Sequence, residues 1–119
     1  MLTPATRGLI DLMRSAPRGP RRDGLFALWL AVHVAEDLGL ATGTAERAYR
    51  RRVALLEQRI SSLALPLALN RGLARMIEGL KNAPAGPAGP LLSGLVGPVR
   101  EAVGTDAADL VQKAARSLR

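Results

Sequence analysis

Residues 24–38, GLFALWLAVHVAEDL, are apolar on nearly every side of a helix. Leu25, Phe26, Leu28, Trp29, Leu30, Val32 and Val34 leave no polar stripe before Glu36 and Asp37. A helix with that surface has to be enclosed, either in the middle of a bundle or in an oligomer interface. A bilayer is the third enclosure, but the unbroken apolar run from Leu25 to Ala35 is eleven residues. A spanning helix needs about 20. The segment therefore reads as the central helix of a globular bundle, with Asp23 as its N-cap and Gly39 as its end.

The flanking sequence supplies the rest of such a bundle. Thr3 followed by Pro4 predicts a helix over 4–15, with Leu9, Leu12 and Met13 as a narrow apolar stripe. Ala16 to Gly24 reads as a loop carrying Arg18, Arg21 and Arg22. A further helix begins near Thr42 or Thr44. Its seam of Tyr49, Val53, Leu56, Ile60 and Leu63 advances in steps of four and three, which is helical periodicity. Pro66 breaks the run that follows, because proline inside a helix costs about 3 kcal/mol. The next helix, capped by Ser62 with Pro66 in its first turn, runs to about Leu80. Leu69, Leu73, Met76, Ile77 and Leu80 point inward. Residues 82–90, NAPAGPAGP, read as an extended linker. Beyond it, 91–103 is a helix broken by Gly94, Gly97 and Pro98, and 106–118 is a well-specified last helix. No segment alternates like a strand. The expectation is all-α: a small bundle of four to six helices. Residues 1–81 form the core, and 91–119 form a separable C-terminal arm whose apolar stripe is buried either on this chain's own core or, the favoured choice, on a partner subunit.

Composition narrows function. The chain has 119 residues, enough for one domain. It has no cysteine and a single histidine, which removes disulfide scaffolds, thiolate metal sites, cysteine nucleophiles and three-histidine metal centres. With one Phe, one Trp and one Tyr, it lacks a stacking platform for single-stranded nucleic acid. The net charge is +7, and 15 of the 17 basic residues are arginine. Arginine presents a planar fork of donors suited to phosphate, guanine edges and carboxylates, so a polyanion or an acidic surface is the natural partner. A high-GC genome would enrich arginine as well.

The junction of the second and third helices gives the one motif. It reads Val34-Ala35-Glu36-Asp37-Leu38-Gly39-Leu40-Ala41-Thr42-Gly43-Thr44-Ala45-Glu46-Arg47-Ala48-Tyr49-Arg50-Arg51-Arg52. This stretch resembles a helix-turn-helix of the GntR-type repressors or of sigma-factor region four. Ala35 matches the small residue at the helix crossing, Leu38-Gly39-Leu40 the turn, and Gly43-Thr44 the start of the recognition helix. Ala41 stands where those families usually have serine, and Ala45 and Ala48 where they have larger apolar residues. The resemblance, over 31–52, implies a DNA-binding or transcription-regulating protein. Thr42, Thr44, Arg47, Arg50, Arg51 and Arg52 would then face duplex DNA. Four arginines in the first two turns also oppose the helix dipole, a conflict that a bound anion relieves.

Other chemistries have little to build on. His33, Glu36 and Asp37 share one helix side but lack further ligands, so no metal is expected. Ser61-Ser62 has no base, and no glycine cluster ends in the Lys-Ser/Thr of a phosphate loop. The chain reads as a non-enzyme with no cofactor and no small-molecule substrate. No segment resembles a signal peptide, which points to the cytoplasm. The alternative to DNA binding is a helical interaction module, homo-oligomeric, with no nucleic-acid role. RNA or ribosome binding through the same arginines is a third reading.

Overall fold

The computed structural model describes residues 3–40, 46–82 and 88–118. Within them the chain is all-α: α1 (Pro4–Ser15), α2 (Pro20–Leu40), α3 (Glu46–Ser61), α4 (Leu67–Asn82), α5 (Ala88–Ser93), α6 (Val96–Val103) and α7 (Thr105–Ser117). The two short helices, α5 and α6, are the halves of the glycine-broken segment, parted at Gly94 and Leu95.

Helix α1 starts as its sequence dictates. The Thr3 side chain accepts a hydrogen bond from the Thr6 amide at 3.3 Å, and Pro4 opens the helix. Helix α2 departs from its expected bounds at both ends. It begins at Pro20 rather than Gly24, because Gly19, at φ +151°, turns the chain and its carbonyl accepts from the Asp23 amide at 3.0 Å. Gly39, expected to end the helix, lies within its last turn. Pro66 breaks the chain as expected, yet α4 starts at Leu67 and not at Ser62. The Pro66 carbonyl accepts from the Asn70 amide, so the proline sits just outside the helix, where its missing N–H costs nothing.

Helix α2 is the hub, packed against α1, α3, α5, α6 and α7. Leu25, Ala27, Leu28, Ala31, Val32 and Ala35 are all fully buried, so the enclosure demanded by the sequence is supplied by the chain itself. Tyr49, Val53, Leu56 and Ile60 bury the seam of α3, while Leu63 lies beyond the helix end and is half-buried.

The C-terminal third is part of this core. Leu92, Leu95, Val99, Val103, Ala107, Ala108 and Val111 are all at most 2 % exposed. Three glycines let them in. A Cβ built on Gly72 of α4 lies 3.1 Å from Pro98, one on Gly24 lies 3.0 Å from Val103, and one on Gly89 of α5 lies 2.9 Å from the Ala115 carbonyl oxygen. Of the two surfaces expected for the C-terminal stripe, the chain's own core is the one that buries it, and the favoured partner subunit is not needed for that. The linker shortens too: Asn82 ends α4, and Ala88, Gly89 and Pro90 are already the first turn of α5. Its remaining residues, 83–87, lie outside the described residues.

Helices α6 and α7 meet at Gly104, whose φ of +105° serves as the C-cap of one helix and the N-cap of the other. The Arg21 guanidinium donates to the Val103 carbonyl beside it at 3.1 Å, tying the start of α2 to the end of α6. A Cβ at Gly104 would meet nothing closer than 3.9 Å. The strain of Gly104→Ala is thus purely in the backbone. It is expected to lower stability by about 1–3 kcal/mol, measurable as a shift in the urea midpoint with an unchanged m-value.

Candidate functional site

Helix α3 lies at the edge of the bundle, packed chiefly on α2 and α4. Its inner side is Tyr49, Val53, Leu56 and Ile60. Opposite this side stand Arg47 and Arg51, continued by Ala54 and Gln58, with Arg50 on the flank toward α4; all are exposed. Charge gathers in the same region. Residues 46–82 hold eight basic and three acidic side chains, so this third of the chain carries +5 of the net +7.

The fourth arginine is committed elsewhere. Arg52 sits on the flank of α3 that faces α2 and donates to the Asp37 carboxylate at 2.5 Å. This hydrogen bond holds the Asp37 carboxyl below its usual range. Asp37 lies near the negative end of the α2 dipole and Arg52 near the positive end of the α3 dipole, so each is misplaced on its own helix and the pair offsets both. Both groups are about two-fifths exposed, so the pair orients the helices more than it stabilises them. Arg52, expected among the contacting arginines, thus braces the helix pair. A second tie, Lys81 to Glu57 at 2.8 Å, fastens α3 to α4.

The rest of the helix-turn-helix reading is placed only in part. Leu38, Gly39 and Leu40, expected as the turn, are the last residues of α2. Thr42 and Thr44 lie outside the described residues.

His33 Nε2 comes within 4.0 Å of Asp37 Oδ2, but Glu36 does not join them. Among the described residues no group of three or more His, Cys, Asp or Glu side chains is gathered as a metal site. Asp37 turns to Arg52, and His33 stacks on Trp29 with ring centroids 5.5 Å apart. Glu36 goes the other way, into the core, where it is 5 % exposed and accepts from the Thr3 hydroxyl at 2.8 Å. Sequence reasoning missed this partnership because Thr3 and Glu36 are 33 residues apart.

Burial pushes the Glu36 carboxyl above its ordinary value of 4.5, and the Thr3 hydrogen bond offsets only part of that. A carboxyl raised in the folded state contributes stability that is present below the unfolded value and is lost as pH rises through the folded one. Glu36→Gln keeps the acceptor and removes the charge. It is expected to raise the melting temperature at pH 7 and to flatten the fall in stability just above pH 4.5. Thermal melts from pH 4 to 7 check this, and a variant less stable at pH 7 would contradict it.

Two grooves border α3. One, of about 340 Å³, lies on the α4 side and is lined by Arg50, Ala54 and Lys81 among others. The other, of about 380 Å³, lies on the α2 side and is mainly apolar. No helix among the described residues is long and apolar enough to cross a membrane. Compared with protein-family models, curated proteins and solved structures, the chain matches none.

Proposed function

We propose that the chain is a small helical DNA-binding protein that grips duplex phosphates through Arg47, Arg50 and Arg51 at the start of α3. The observation that carries this reading is the exposure of these three cations at the start of a peripheral helix, away from its buried seam. They share the first two turns, where the helix dipole makes cations unfavourable by about 0.3–1 kcal/mol each. A phosphate bound there reverses that term. A helix about 10–12 Å across also fits the major groove of B-form DNA.

The competing reading, an oligomerisation module, drew on the apolar sides of α2. Most of those sides are covered within the chain by α1, α3, α5, α6 and α7, with Phe26, Trp29 and Leu30 only partly buried, which weakens that ground for a partner subunit. RNA binding is separated by competition. The deep, narrow major groove of an A-form duplex does not admit a helix, so unlabelled duplex DNA is expected to displace a labelled DNA probe at lower concentration than duplex RNA of the same sequence. RNA competing as well or better would overturn the DNA reading.

A further inference from the structure

The groove between α2 and α3 is lined by aromatic and aliphatic side chains that the fold buries only in part, with Leu55 exposed. On α2, Phe26, Trp29 and His33 form a ladder of rings, with centroids 6.1 and 5.5 Å apart along the helix. On α3, Leu55 faces them and is 53 % exposed, one of two large hydrophobic residues so exposed among the described residues. Arg52 and Arg59 flank Leu55 on the same edge. They are seven residues apart, or about 10.5 Å along the helix. The space is about 380 Å³ and open to solvent rather than enclosed.

We infer that this groove is the docking site for an acidic amphipathic helix of a partner protein. Two turns of such a helix present apolar side chains at steps of three and four, which match the ladder and Leu55. A carboxylate on its flank matches Arg59, since Arg52 is already paired with Asp37. A second copy of this chain is a poor occupant, because its surface is net positive and would meet Arg59 with like charge. The site is separate from the DNA reading: Arg47 and Arg51 lie on the outer side of α3 and Arg50 toward α4, and the groove lies on the flank toward α2.

Trp29 is the only tryptophan in the chain, so the groove contains its own fluorescent reporter. The probe is a 16-residue helical peptide with leucine at i, i+3, i+4 and i+7 and glutamate on both flanks, titrated against the full chain. A saturable change in Trp29 emission is expected, with half-saturation below about 1 mM. The peptide with lysine in place of glutamate is expected to bind about ten-fold more weakly or not at all. Leu55→Glu should abolish the response while leaving the thermal transition in place, because Leu55 is a surface residue. Arg59→Glu should shift the preference toward the lysine peptide. No saturable response to the acidic peptide, or equal binding of both peptides, would overturn the inference. So would a concentration-dependent self-association that Leu55→Glu removes, because the groove would then belong to a second copy.

Discussion

A chain cut after residue 87 is expected to lose cooperative thermal unfolding altogether. Leu92, Leu95, Val99, Val103 and Val111 are buried against α1, α2, α4 and one another. Burying one such side chain is worth about 1.5–3 kcal/mol, so deleting five forfeits on the order of 10 kcal/mol. That is comparable with the whole stability of a domain this size, about 5–15 kcal/mol. The cut also uncovers Leu25, Leu28, Leu69 and Leu73. Circular dichroism of the fragment is expected to show a broad, non-cooperative melt with reduced helix content. A sharp transition near that of the full chain would mean that 1–82 is a core by itself. A milder variant guards against over-reading a fragment: Leu92→Ala should cost about 2–5 kcal/mol.

The second large effect concerns α3. Arg47→Ala, Arg50→Ala and Arg51→Ala together are expected to remove about three phosphate contacts. Each such contact contributes about 0.9 to the slope of log affinity against log salt. The triple variant should therefore have a slope shallower by about 2.7. Its affinity at 50 mM salt should fall on the order of a hundred-fold, uniformly across duplex sequences. The three side chains are exposed, so the melting temperature should hardly move. Arg52→Ala behaves differently: it breaks the brace to Asp37, so it should alter the α2–α3 geometry as well as binding. An unchanged affinity in the triple variant would place any DNA contact somewhere other than α3.

Much of the fold was legible because helix periodicity and capping are local. Thr3-Pro4, the seam from Tyr49 to Ile60 and the break at Pro66 each depend on neighbours a few residues away. What the sequence hid depends on distant partners. Pro20 opens α2 only because Gly19 can take a positive φ, and Arg21, inside that first turn, reaches the Val103 carbonyl 82 residues on. The Pro-Gly run suggested an outreaching linker, yet its last residues coil into α5 because Gly89 lets that helix lie against the α7 backbone. Glycines 24 and 72 are the places where α6 and its leading turn seat closely, contacts with distant residues that local sequence does not reveal. For the candidate site, the sequence located the basic start of α3 but could not separate its arginines. Only the approach of Asp37 shows that Arg52 serves the fold, while Arg47 and Arg51 face outward and Arg50 borders the α4 groove.

The most direct measurement is fluorescence anisotropy of a labelled 20-base-pair duplex titrated with the full chain at 50 mM and again at 200 mM salt. Three phosphate contacts predict saturable binding at the lower salt and an affinity loss of roughly 40-fold or more at the higher. No binding at 50 mM, or an affinity that does not change with salt, would contradict the account.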